Sequence, residues 1–282
     1  MRISLYRQAK FICNAAGVLR PNAASSLGWL PRMEDFHMPD VYPDGDIPAE
    51  FVTFKYPLPN LGAALLGTAP VRIVAMGSSS TAGRADIVPY PHRLEMYLRV
   101  QYAMEQYPNL TIDVLNRGKG GEEAIEELRR FDADIFAEKP SLVIWQVGTN
   151  AVFHNYNLDE VAAKIAEGLK RLDGKPMDVL LIDPQFVPAM LFDDKVEASA
   201  RMVSLISAAS EQAGVNLFRR WALMRHWHVH ENIGLDRMFD PSDPDKLHQS
   251  DWSTRRIAQA LCHAITAAPP AARNHGARPR NR

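Results

Sequence analysis

From residue 71 onward, short apolar runs alternate with helix-length amphipathic stretches, and this alternation constrains the chain more than any other feature. The first run is Val71, Ile73, Val74, Ala75 and Met76, broken only by Arg72; others occupy residues 110–115, 142–147, 177–182 and 215–218. Runs of this length that end in Gly and small polar residues read as strands buried on both faces of a parallel sheet. Between them, residues 91–106, 122–138, 158–172 and 196–213 carry apolar residues at helical spacing. Ile125, Leu128, Phe131 and Ile135, for example, share one face. A last helical stretch covers residues 252–265. Strands joined through helices imply right-handed crossovers and helices on both faces, an α/β domain of three layers.

The rest of the 282 residues bounds the problem. With 32 Lys and Arg against 33 Asp and Glu, the net charge of −1 gives no electrostatic case for nucleic acid. No apolar run approaches the roughly 18 residues of a membrane-spanning helix. Two cysteines, Cys13 and Cys262, are too few for a disulfide scaffold or a multi-cysteine metal site. Residues 31–70 are rich in proline and aromatics, and read as an extended arm anchored by its rings. Three segments follow: an N-terminal extension and arm (1–70), the α/β domain (71–267) and a Pro, Ala, Asn and Arg tail expected to be disordered (268–282). Arg2, Arg7 and Lys10 precede an apolar stretch at residues 11–19 that has the outline of a secretory signal. Asn14 interrupts it and Arg20-Pro21 follows, so localisation stays open between cytoplasmic and exported.

In a parallel sheet the turns after the strands lie at one edge, where open α/β sheets bind their ligands. The first run ends in Gly77-Ser78-Ser79-Ser80-Thr81, the second leads to Gly120-Gly121, and the third to Gly148-Thr149-Asn150. The first of these is neither a Walker A loop nor a dinucleotide fingerprint nor a Gly-x-Ser-x-Gly elbow. Taken alone, its serines have an ordinary alternative as helix N-caps. Far downstream, the Pro- and Asp-rich loop from Asp240 to Asp245 reaches His248 just before the last helix.

Together these segments resemble the SGNH hydrolases, the GDSL esterase/lipase family, whose four blocks supply a Ser, a Gly, an Asn and an Asp-x-x-His. The resemblance covers about residues 71–267 and places Ser79 as nucleophile, Gly121 and Asn150 in the oxyanion hole with the Ser79 N–H, and Asp245 and His248 as the remaining triad members. It implies a flavodoxin-like sheet of order 2-1-3-4-5 and a serine esterase that hydrolyses short-acyl esters of small molecules or glycans, without cofactor or metal. Ser78 and Ala151 stand where the family usually has Asp. The chemistry is intelligible on its own terms: a serine hydroxyl needs a base, the base needs an orienting carboxylate, and the oxyanion needs donors. Acyl transfer to a sugar hydroxyl, and a binding module that has lost turnover, are the alternatives. Ser78 and Ser80 are rival nucleophiles, and Asp240 and Asp243 are rival orienters that miss the three-residue spacing to His248. Asp183, before Pro184, reads as a turn former. His226, His228 and His230 lie in a stretch that reads as a helix, where His226 and His230 share a face without a third ligand at motif spacing.

Overall fold

The computed structural model describes residues 44–84, 86–104, 110–192 and 194–268; the signal-like stretch and the tail from Pro269 lie outside the described residues. The segment ahead of the first strand is not a purely extended arm. It holds two short helices, α1 (Ala49–Val52) and α2 (Pro59–Leu65). Proline at a helix start costs no hydrogen bond, so Pro48 as N-cap and Pro59 at the first position favour these turns. Val52, Phe54, Leu58 and Leu61 are buried in the same core as the sheet. The Asp178 carboxylate accepts the N–H of Leu61 at 2.8 Å and the Asn60 side-chain amide at 2.9 Å, which fixes this segment to the start of a sheet strand.

That sheet is parallel and five-stranded. Its strands are β1 (Val71–Gly77), β2 (Ile112–Gly118), β3 (Leu142–Gln146), β4 (Asp178–Ile182) and β5 (Asn216–Phe218), in the spatial order 2-1-3-4-5. β1 lies between β2 and β3, with Gly77 beside Gly118 and Met76 beside Trp145. After β1 come α3 (Ser79–Ala82) and α4 (Tyr90–Met104). After β2 comes α5 (Ala124–Arg129), followed by a widened turn at Asp132–Phe136 that interrupts the single helix expected over residues 122–138. α6 (Thr149–Phe153) and α7 (Leu158–Leu172) follow β3, and α8 (Lys195–Ala213) links β4 to β5. α9 (Arg220–Val229), α10 (Leu235–Met238) and α11 (Asp251–Ala267) close the domain.

Right-handed crossovers decide the layers. The chain moves one way from β1 to β2 and the other way from β2 to β3, so α4 and α5 cover opposite faces. α11 packs on α4, and α7 packs on α5 and α8. The reversal between β1 and β3 opens a crevice at the carboxyl ends of these strands, where such sheets take ligands. The turn that begins at Ser79 and the turn that holds Asn150 flank it.

Candidate active site

Ser79 is the first residue of α3. The N-cap alternative for this cluster is not what the structure shows, because Ser78 makes no side-chain cap bond. Its hydroxyl and N–H both lie 3.2 Å from Gln146 Oε1, at the end of β3. The Ser80 hydroxyl donates instead to Gln185 Oε1 at 3.2 Å. The three consecutive serines thus point to three different places, and only Ser79 faces His248, with Oγ 3.0 Å from Nε2. β2 must run close behind this turn, and Gly118 permits it: a Cβ there would sit 2.1 Å from the Ala82 nitrogen.

The carboxylate on the far side of His248 is Asp243, not Asp245. Asp243 Oδ2 lies 2.7 Å from His248 Nδ1, while the Asp245 side chain is exposed. The loop explains the exchange. Asp243 folds back over the segment that follows it, and its Oδ2 accepts the N–H groups of Leu247 and His248 at 2.9 and 2.8 Å. Lys246 takes a left-handed conformation (φ 52°) that closes this turn. Arg84, just beyond α3, forms an ion pair with Asp243 Oδ1. Burial by itself would raise the Asp243 pKa. The His248 and Leu247 N–H groups, the Arg84 guanidinium and the imidazole outweigh it and hold the carboxyl well below the ordinary carboxylate range. Asp240 stays within the loop and accepts the Ser242 N–H and hydroxyl.

Two further turns reach the same crevice. A Cβ added to Gly120 would lie 3.8 Å from the Ser79 Cβ, so the 120–121 turn abuts the serine. Gly121 has φ 81°, a conformation that disfavours side chains, and no neighbouring atom lies within 4 Å of its would-be Cβ. Backbone conformation therefore selects glycine there, and the space beside it is open. Among the described residues, the Ser79 and Gly121 N–H groups have no acceptor. The Asn150 amide donates one N–H to the Glu122 carbonyl at 2.7 Å, leaving its other free.

Three residues that the sequence reading did not single out hold these turns together. Glu123 is buried: its Oε1 accepts the Gly148 N–H and its Oε2 the Ala151 N–H, both at 2.9 Å. Ala151, which stands where the resembled family has Asp, is thus supported by a carboxylate from the neighbouring turn. Burial raises the pKa of Glu123 against these N–H groups. It raises Glu127 well above its ordinary value, with the Glu123 charge adding to the effect. Glu127 accepts the Trp145 indole N–H at 2.6 Å, which works against that rise. Gln185, fully buried, accepts from Ser80 and Thr149 and donates to the Leu247 carbonyl, so it spans the serine, asparagine and histidine turns. Gln146 links the first two of these. The only sequence signal for Gln146 is a polar residue ending an otherwise apolar strand; Glu123 is marked by its capping box with Glu126.

The remaining candidates lie elsewhere. Asp183 is buried, with burial lifting its pKa to about 7, and its carboxylate accepts the Trp221 N–H at the start of α9 rather than lining the crevice. His226 and His230 share one side of α9 and its end, with His226 3.1 Å from Glu231, and His228 contacts the Ile233 carbonyl. Among the described residues no group of three His, Cys, Asp or Glu converges as metal ligands.

The non-GDSL lipase-like family model matches residues 44–269. The chain belongs to that family. The expected GDSL label is not confirmed, in keeping with a first turn that reads Gly77-Ser78-Ser79-Ser80. No curated protein matches the sequence. Among solved structures, the fold is similar to a lipase/acylhydrolase from Enterococcus faecalis, at 19% identity and TM-score 0.57 over 69% of this chain and 95% of that one. It is similar to an acetylxylan esterase from Geobacillus stearothermophilus, at 18% and 0.56 over 71% and 96%. A third is an α/β hydrolase from the metagenome of Lake Arreo, Spain, at 18% and 0.59 over 73% and 99%. These likenesses establish the fold of the non-GDSL lipase-like domain.

Proposed function

We propose that this protein is a serine esterase that hydrolyses short-acyl esters, acetyl esters of sugars foremost, through an acyl-enzyme on Ser79. The observation that carries the reading is the continuous chain Ser79 Oγ, His248 and Asp243, at 3.0 and 2.7 Å. With Nδ1–H donated to Asp243, Nε2 is free to take the Ser79 proton as Oγ bonds to the ester carbon. The carbonyl π electrons move onto oxygen, where the N–H groups of Ser79 and Gly121 and the free Asn150 amide N–H are the available donors. Collapse of this intermediate breaks the bond to the alcohol oxygen, which leaves with the proton from Nε2. Water then attacks the acyl-enzyme by the same route, gives its proton to Nε2, and Ser79 recovers one as the acid departs.

The acetylxylan esterases of similar fold support a short acyl group. The test is a burst of p-nitrophenol from p-nitrophenyl acetate, with Ser79 labelled by an organophosphonate. Rates should fall steeply from acetate to octanoate, and Ser79→Ala should abolish the burst in a folded protein. Full turnover by Ser79→Ala would refute the assignment.

A further inference from the structure

Arg84 lies five residues after Ser79, in the chain leaving the serine turn, and returns across the crevice mouth to the histidine loop. Its side chain is 35% exposed, whereas that of its partner Asp243 is 1% exposed. Oδ2 of that carboxylate is already occupied by the imidazole and two backbone N–H groups, so Arg84 takes the other oxygen. The same Nη1 also lies 3.1 Å from His248 Nδ1. Nδ1 cannot both donate to Asp243 and accept from Arg84. The shorter contact to Asp243 marks the tautomer that leaves Nε2 free for Ser79, and Arg84 then places its charge against the imidazole edge without bonding it.

We propose that Arg84 is a positioning residue of the esterase: it locks the Asp243 carboxylate onto His248 from the serine turn. The inference rests on the serine-esterase reading of the site. Asp243 and Arg84 are the charged groups in contact with the ring. Asp240 and Asp245 act on the guanidinium from the same loop at longer range, and Asp251, at the start of α11, is paired with Arg93. Ser79, Gln249 and Thr254, the other groups around it, are neutral.

The experiment compares kcat and KM of Arg84→Met, Arg84→Gln and Arg84→Lys, each alone and with Asp243→Asn, using p-nitrophenyl acetate. Phosphonate labelling of wild-type Ser79 comes first; absence of label would remove the esterase reading itself, independently of Arg84. In labelled enzyme, Arg84→Met should lower kcat about tenfold, the scale of a charge-assisted bond at a partly exposed site, with KM little changed. Arg84→Lys should restore only part of kcat, because an ammonium lacks the fork. In the Asp243→Asn background, Arg84→Met should cost less than about twofold. Arg84→Gln, a polar side chain of similar reach, repeats the test should the Met variant fold poorly. A raised KM with kcat unmoved, or an undiminished cost in the Asp243→Asn background, would overturn the proposal.

Discussion

Replacing Asp243 by Asn or by Ala should damage the enzyme to different degrees, and the structure says in which order. In Asp243→Asn, the side-chain oxygen has a strong reason to occupy the Oδ2 position, because it accepts the N–H groups of Leu247 and His248 there. Turning the amide over would leave both without a partner, at about 1–3 kcal/mol each for a buried group. The opposing cost, an amide N–H facing Arg84, is smaller, since that side chain is a third exposed and can swing away. The oxygen therefore still accepts Nδ1–H and the productive tautomer survives. What is lost is the negative charge behind the imidazolium, a change from a charged to a neutral hydrogen bond. That is worth about 1–2 kcal/mol, or roughly 5–30-fold in kcat. In Asp243→Ala no acceptor remains, and Arg84 Nη1, 3.1 Å from Nδ1, is left as a donor that stabilises the opposite tautomer. Nε2 then carries the proton and cannot take one from Ser79, and the loss should approach the roughly 10⁴-fold seen for a wrong tautomer in serine proteases. Asp245→Ala, at an exposed position, should stay near wild type. The assay is kcat on p-nitrophenyl acetate, with circular dichroism confirming that each variant is folded. Equal losses for Asp243→Asn and Asp243→Ala, or a large loss for Asp245→Ala, would refute this account of the loop.

Asn150→Ala should lower kcat by roughly 10²-fold with little change in KM, as for loss of one oxyanion donor. Asn150→Asp should be at least as damaging, because its carboxylate would face both the Glu122 carbonyl and the developing oxyanion; Asp tolerated better than Ala would remove this residue from the oxyanion hole. Glu123→Gln has one oxygen for two turn N–H groups that now have a carboxylate oxygen each. It should destabilise the protein by about 1–3 kcal/mol in urea unfolding and lower kcat through the Asn150 turn; unchanged stability would count against the staple. Asp183 binds its proton up to about pH 7 when folded but, unfolded, only to the ordinary carboxylate range. The folded state therefore holds more protons than the unfolded one between about pH 4 and 7, so stability from this group falls as pH rises through that window. Asp183→Asn, whose oxygen can still accept the Trp221 N–H, should flatten the unfolding free energy over that range, and a slope equal to wild type would contradict the buried-carboxyl account.

The sequence by itself determined the sheet and the edge at which the crevice lies. Strands buried on both faces must be continuously apolar, so β1, β3 and β4 are visible in composition alone, and connected strands of this kind admit few topologies. The turns after β1, β2 and β3 are likewise placed at one edge by the parallel topology, but within them it is the resemblance to the SGNH hydrolases that singles out Ser79, Gly121 and Asn150. The departures begin where neither periodicity applies. In the loop from Asp240 to His248, spacing in sequence does not set side-chain direction, and the nominal Asp245 faces solvent. Asp243 is drawn inward because its carboxylate satisfies the N–H groups of a turn closed by Lys246. The roles of Arg84, Glu123 and Gln185 are illegible in the sequence for a related reason: each acts on a partner 25 or more residues away. Such contacts exist only once the crossovers have brought separate strand ends together. A buried carboxylate is retained there because the assembled turns supply the donors and charges that make its burial tolerable.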